Sequence, residues 1–353
     1  MIHQTETISF IHQLHRNESG AVVLLDVRSP KEFSQGHIPG AVNFPLLNDE
    51  ERHVVGITYK ESGQQDAVKK GFELVGHKFA DFITQAESLS HDRKIHLYCW
   101  RGGLRSNIMA WILGVAGFEV TLLKGGYKSY RGLCYELFEK RGKFVVLSGM
   151  TGTGKTDWLN LLADANEQVI DLEKIAHHKG SAFGGLGQPE QHNQEQFENL
   201  LGMSLFHKAD ASIWLEDESR FIGRLRIPDV FFLRMMNAPH VELRLSEEQR
   251  INRIIREYGI FPPEALAEKT KAVIKRMGGD QVKISLEALD HGDLAGWIRP
   301  LLRYYDKSYQ HGKTRFAVNT VLSIDLENEK HEEVIRLLKT VSAPNQTSTN
   351  VID

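Results

Sequence analysis

Apolar residues recur along this chain in two rhythms, a helical spacing of three to four and short runs rich in β-branched residues, and the two alternate. Residues 8–15 carry the helical spacing, and 21–27 form an apolar run that predicts a buried strand ending at Asp26, Val27 and Arg28. Ser29 and Pro30 supply an N-cap and a first helical position, and 36–43 reads as loop and turn. A helix over 72–86, a strand over 95–98, a helix over 106–116 and a strand over 119–123 follow. The rhythm then restarts with strand 143–147, helix 157–165 and strands 168–170, 211–215 and 241–245. A helix opened by Ser246, helices through 262–303, a strand at 321–324 and a helix at 330–341 complete it. Such alternation predicts the α/β class with a mainly parallel sheet in each half. Residues 48–71, with Tyr59, Lys60, Gln64, Gln65 and Asp66, read as a long insertion, either a functional loop or a surface excursion.

At 353 residues the chain exceeds the roughly 250–300 at which single cores stop growing. Two domains are expected, 1–140 and 141–341, the second with helical additions and a basic helical region at about 246–310, followed by a polar tail, 342–353, expected to be disordered. No apolar run approaches the roughly 18 residues of a membrane helix, so no membrane partner is expected. A net charge of −3 gives no general attraction to nucleic acid, which would need local basic patches. Two cysteines make no disulfide framework, and the first residues look like neither a signal nor a transit peptide, so a reducing compartment, the cytoplasm, is expected.

Two stretches carry chemistry. Cys99-Trp100-Arg101-Gly102-Gly103-Leu104-Arg105-Ser106 reads as strand end, tight loop and helix start. A cysteine there faces loop N–H groups and the positive end of the next helix, with Arg101 and Arg105 adding charge and Gly102 and Gly103 letting the backbone curl around an anion. Cys134 reads as an ordinary buried hydrophobe. Gly149-Met150-Thr151-Gly152-Thr153-Gly154-Lys155-Thr156, between a strand and a helix, matches the phosphate-binding loop: backbone N–H groups cradle phosphate, Lys155 supplies charge and the Thr156 hydroxyl can hold Mg²⁺.

Carboxylates at later strand ends, Asp171, Glu216 and Asp217, are candidates for positioning a metal or a polar group, with a structural role equally open. Residues 177–187, with His177, His178, Lys179 and several glycines, suggest a substrate loop, and no ligand spacing there completes a zinc site. Arg220, Arg224, Arg226, Arg250 and Arg253 are candidate phosphate contacts in a kinase-like layout, against the ordinary reading of a solvated face. Asp26, Arg28 and Glu32 read as structural ion-pair partners rather than chemistry.

The stretches LLDVRSPKEFSQGHIPGAVNFP, YCWRGGLRS and GFEVTLLKGGYKSYR resemble a rhodanese domain, whose single cysteine carries sulfur as a persulfide. One departure is that Cys99 and Arg105 enclose five residues where a common rhodanese loop has four, which also resembles the cysteine-phosphatase and arsenate-reductase relatives of the fold. Fused to a P-loop NTPase-like domain, the whole chain resembles the tRNA 2-selenouridine synthase family. The resemblance implies exchange of sulfur for selenium in wobble 2-thiouridine of tRNA, through an S-geranyl intermediate, with geranyl diphosphate and selenophosphate as substrates and no covalently bound cofactor. It implies a selenophosphate-supplying enzyme as a partner, diphosphate on Lys155 and the loop, selenium chemistry at Cys99 with Arg101 and Arg105 holding the anion, and tRNA phosphates on the basic helices. Trp100 would stack a base. A phosphatase, arsenate reductase or sulfurtransferase with a nucleotide-binding regulatory domain, or a non-catalytic nucleotide-switched sulfur carrier, remains open at this point.

Overall fold

The computed structural model describes residues 1–16, 22–315, 319–327 and 329–342, so the tail beyond Ser342 and the first residue of the 21–27 run lie outside them. The chain forms two compact units. One is Met1–Leu137 with Asn193–Met203, and the other is Phe138–His192 with Ser204–Asp353. A linear division at residue 140 did not foresee that 193–203, deep in the second half, belongs with the first unit.

In chain order the first unit contains β1 (Ile2–Thr5), α1 (Thr7–Arg16), β2 (Val23–Asp26), α2 (Pro30–Gln35), β3 (Val42–Asn43), α3 (Asp49–Ser62), α4 (Gln64–Val75), α5 (Phe79–Leu89), β4 (Lys94–Tyr98), α6 (Leu104–Val115), β5 (Glu119–Leu123) and the start of α7 (Gly126–Lys140). Its sheet runs β1-β5-β4-β2-β3 with every pair parallel. Leu25, Ile95, Leu97, Val120 and Leu122 of the strands and Met109 and Leu113 of α6 are buried in one core, as a parallel sheet covered on both faces requires.

Two expectations are corrected here. The 48–71 insertion is not a loop: it is α3 and most of α4, and α3 is opened by a capping box in which Asn48 accepts from the Glu51 N–H and Glu51 reaches back to the Asn48 N–H. The helix expected over 72–86 is the end of α4, a 3₁₀ turn at Gly76–Lys78 and α5, because α4 stops at its C-cap Gly76.

The second unit continues with β6 (Lys143–Gly149), α8 (Lys155–Asp164), β7 (Val169–Ile170), α9 (Leu172–Ala176), α10 (Gln194–Phe206), β8 (Ser212–Glu216), β9 (Phe221–Ile222), β10 (Leu225–Arg226), α11 (Asp229–Asn237), β11 (Pro239–Arg244), α12 (Glu247–Tyr258), α13 (Pro263–Ala272), α14 (Ile274–Met277), α15 (Gly279–Asp290), α16 (Leu294–Arg315), β12 (Asn319–Asp325) and α17 (His331–Ser342). Residues 194–203 of α10 belong to the first unit. The order β12-β11-β6-β8-β7 is again parallel throughout, and Val145, Leu147, Trp214, Val241 and Leu243 fill its core with Trp158, Val334 and Leu338. Helices α12 to α16 build a separate core around Trp297, whose indole N–H donates to Thr270 at 2.9 Å. Among the described residues no helix is long and apolar enough to cross a membrane.

The first unit is organised around a fully buried ion pair. Arg28 Nη2 and Asp26 Oδ2 are 2.6 Å apart with both side chains at 0% exposure, and the guanidinium lies 3.9 Å from the centre of the Tyr127 ring. Tyr127 is fixed in turn by α10: its hydroxyl donates to Glu195 at 2.8 Å and accepts from Asn199 at 2.6 Å. Asn199 also donates to the His37 carbonyl, while Gln196 accepts the His37 N–H. That set of side-chain bonds explains why the segment joins this unit.

Removing one partner of a buried pair leaves a charge with neither water nor counter-ion, which typically costs about 3–5 kcal/mol. Asp26→Asn should therefore destabilise the first unit by about that much in urea unfolding. The double change Asp26→Asn, Arg28→Met should recover a large part, and a double variant no more stable than the single would show that loss of the pair, not the stranded Arg28 charge, is what destabilises the unit.

Candidate functional site

Cys99 follows the last residue of β4, and α6 starts at Leu104, so the intervening loop sits at a strand's carboxyl end and a helix's positive end. The Cys99 side chain is 3% exposed and its Sγ lies 3.2 Å from the Ser106 hydroxyl, which donates to the Gly103 carbonyl at 2.9 Å. Gly126 closes the loop from behind: with φ at +62°, a Cβ there would run into the Cys99 carbonyl and the Gly102 N–H. The Tyr127 and Lys128 N–H groups bond the Cys99 and Trp100 carbonyls at 2.9 and 3.0 Å. Trp100 is 36% exposed, its ring 5.6 Å from that of Tyr127.

Of the loop arginines, Arg101 is exposed, whereas Arg105 pairs with Glu32 at 2.5 Å. Burial resists ionisation of the Glu32 carboxyl, but the Arg105 hydrogen bond prevails and holds it below its ordinary value. Asp26, Arg28 and Glu32 are thus the ion-pair partners their sequence positions suggested. Cys134 is buried, its thiol pushed up to about 12, first by that burial.

In the second unit the loop from Gly149 to Lys155 joins β6 to α8. Gly154 takes φ +83°, a conformation that strains any residue with a Cβ, and the Arg253 guanidinium lies against it. Thr153 donates to the Met150 carbonyl at 2.9 Å and Lys155 Nζ to the Gly149 carbonyl at 3.1 Å, which ties the loop to itself. Gly149, Thr151, Gly152, Gly154, Lys155 and Thr156 line a cavity of about 610 Å³. Phe183, Ile254, Trp297, Leu301 and Leu302 give the same cavity an apolar wall, and Lys179, Gly180 and Ser181 of the expected substrate loop also border it.

Three carboxylates meet beside the loop: Glu173, Glu216 and Glu218 bring one oxygen each within 4.8 Å of the others. Each carboxyl is pushed up to about 8, by burial first and then by a neighbouring carboxylate, while Lys155 pulls it down. Thr156 donates to Glu216 at 3.2 Å, and the other Glu216 oxygen is buried without a hydrogen-bond partner. An orphaned carboxylate oxygen beside a hydroxyl and two further carboxylates is a donor set suited to a hard divalent cation.

Only Glu216 of the three carboxylates singled out in the sequence belongs to this cluster. Asp171 caps α9, accepting the Lys174 N–H at 2.7 Å, and Asp217 accepts from Tyr309 at 3.1 Å. Glu218 was legible as the i+2 neighbour of Glu216, on the same side of an extended chain. Glu173, in the first turn of α9, had no such signal.

The arginines divide. Arg253 lines the phosphate-loop cavity and pairs with Asp157. Arg250 is 4% exposed and makes a two-pronged bond to Asp306 at 2.8 Å with a further bond to the Thr151 carbonyl, so it braces the loop from behind and offers nothing to RNA. Arg220 and Arg226 pair with Asp229, and Arg224 with Glu190, all partly or fully exposed.

A family model described as the tRNA 2-selenouridine synthase AAA domain matches residues 142–282, and a rhodanese-like domain model matches 12–133. The tRNA 2-selenouridine synthase of Cupriavidus pinatubonensis is 38% identical over 341 residues, covering 86% of this chain and 92% of its own. That of Marinobacter nauticus is 38% identical over 331 residues, with 83% and 89% covered. That of Bordetella petrii is 36% identical over 358, with 90% and 92% covered.

Cation binding at the carboxylates is checked by thermal unfolding. Magnesium in excess should raise the Tm of the unaltered protein and leave that of Glu216→Gln unmoved. Equal rises in both would place the cation elsewhere.

Proposed function

This chain belongs to the tRNA 2-selenouridine synthase family, an enzyme family that modifies tRNA, and we propose that it exchanges the sulfur of wobble 2-thiouridine for selenium in two steps, one at each site. In the first, the thiouridine sulfur attacks the terminal carbon of geranyl diphosphate. A C–S bond forms, the C–O bond breaks, diphosphate leaves and N3 loses its proton. In the second, hydroselenide supplied by selenophosphate forms the C2–Se bond as the C2–S bond breaks. Sulfur departs with the ten-carbon chain as geranyl thiolate, and the hydroselenide proton passes to N3.

The observation that carries this reading is the double character of the 610 Å³ cavity, phosphate loop and apolar wall together. A prenyl diphosphate needs both, the loop for its charge and Trp297, Leu301 and Phe183 for its hydrocarbon. Lys155 and the loop N–H groups face the diphosphate where charge develops as it leaves. Glu173, Glu216, Glu218 and Thr156 would hold Mg²⁺, which supplies neutralisation of that charge.

Cys99 serves the second step as the nucleophile that frees the hydroselenide. Its thiolate attacks the phosphorus of selenophosphate, the S–P bond forms as the P–Se bond breaks, and water then cleaves the S–P bond to restore the thiol and release phosphate, with loop N–H groups, the α6 N-terminus and Arg101 around the anion. Trp100 offers a half-open ring beside Cys99 for an unstacked base, and exposed Lys271, Lys275 and Arg276 suit tRNA phosphates. The reducing cytoplasm, with a selenophosphate-supplying enzyme, is the setting such a thiol requires.

Mass analysis of nucleosides from thiolated tRNA separates the steps. Lys155→Ala should lower geranylation by about 10²–10³-fold, the usual loss for one charge-stabilising donor, yet still convert pre-geranylated tRNA with selenophosphate. Cys99→Ala should geranylate normally and accumulate the S-geranyl nucleoside. Selenium incorporation by Cys99→Ala at the unaltered rate would sink the assignment.

A further inference from the structure

The helices of the 48–71 insertion have no part in the chemistry described so far, yet they build a cavity. Leu46, Leu47, Val55, Ala67, Val75 and Ile108 line a half-open pocket of about 250 Å³ in the first unit, with Leu104 and Arg105 also on its wall. Leu104 and Arg105 are the first two residues of α6, the helix that opens at the Cys99 loop. Tyr59, Phe72 and Leu104 border this cavity and remain 59%, 45% and 52% exposed, so large apolar side chains stand in water around it. An apolar cavity rimmed by exposed apolar side chains marks a place where an apolar group is bound.

We propose that this cavity seats the ten-carbon chain of the S-prenylated nucleoside during selenium exchange, a second prenyl site separate from the diphosphate cavity of the other unit. The inference rests on the two-step reading above. In the second step the nucleoside carries its hydrocarbon to Cys99, and that chain must lie against something near the start of α6. At about 30 Å³ per water-sized group, 250 Å³ takes roughly eight such groups, leaving the carbons nearest the sulfur of a ten-carbon chain among Tyr59, Phe72 and Leu104 at the mouth. The lining is almost wholly apolar, with Arg105 and Gln64 as its polar members. Arg105 is held by Glu32, so its charge is already met when a hydrocarbon arrives.

The test measures binding without turnover, by fluorescence anisotropy of an anticodon stem–loop RNA whose wobble 2-thiouridine is S-methylated, S-dimethylallylated or S-geranylated. Each buried methylene contributes on the order of fourfold in affinity. The unaltered full-length protein should therefore bind the geranyl RNA at least tenfold more tightly than the methyl RNA, with the five-carbon chain between. Val68 also lines the cavity, so Val68→Trp, which fills it, and Phe72→Glu, which charges its mouth, should flatten that series while still binding the methyl RNA. A misfolded variant would lose all three RNAs alike, and the other variant then decides.

A series that keeps its slope in a folded variant overturns the proposal. So does a loss of geranyl diphosphate binding in Val68→Trp, which would put the donor rather than the acceptor chain in this cavity. A slope that flattens as expected supports the cavity even if selenophosphate fails to convert the geranyl RNA, in which case it is the two-step reading that falls.

Discussion

A parallel sheet covered by helices on both faces has no wet face, so charge and reactivity are confined to the ends of its strands. Both units obey this constraint, and it decides where every functional group stands. Cys99 follows β4, Asp26 closes β2, the phosphate loop follows β6 and Glu216 closes β8. In each unit the helix after the central loop, α6 or α8, brings its positive end to the same place. Strand ends and helix starts thus coincide, which gives each loop a local field that favours negative charge.

The cost of crowding charge at strand ends is met differently in the two units. In the first, Asp26 and Arg28 neutralise one another in full burial, and Tyr127 covers the guanidinium with its ring face. Tyr127 holds that position because Glu195 and Asn199 bond its hydroxyl. The ring of Trp100, next to Cys99, lies against the same tyrosine. The Cys99 loop is therefore braced by Tyr127 and the residues that hold it. In the second unit like charges are gathered instead: Glu173, Glu216 and Glu218 repel one another, and burial makes the repulsion costlier. Lys155 offsets part of it. A residual imbalance of that sign is what gives a cation-binding site its affinity.

How much of this was legible follows from how local each feature is. The Cys99 loop and the phosphate loop are contiguous, with their strand and helix on either side, and they were read correctly as segments. Glu218 was readable from Glu216 by alternation, but Glu173 reaches the cluster only because β7 and β8 pair side by side. Arg250 was misread because its spacing with Arg253 fits a solvated face, while its partner, Asp306, lies on α16 and no sequence rule links the two. The insertion looked like a loop although the Asn48 and Glu51 capping box announced a helix. The docking of 193–203 on the first unit was not legible at all, since it depends on hydrogen bonds between residues about 70 or 160 positions apart.

The insertion also bears on why the proposed route through a prenylated sulfur would suit this fold. A ten-carbon chain is remote from the bond being made, and a cavity that held it equally before and during the exchange would tighten binding without speeding the step. What the chain can supply is position: once anchored, it fixes the thioether sulfur and therefore the angle at which C2 meets the incoming selenide, an effect worth orders of magnitude when the geometry is near that of attack. An anchor beside α6 would do this for Cys99 in a way that contacts to the tRNA backbone, with their longer lever arm, would not. The apolar rim of Tyr59, Phe72 and Leu104 then has a reason to stand exposed in the absence of the chain.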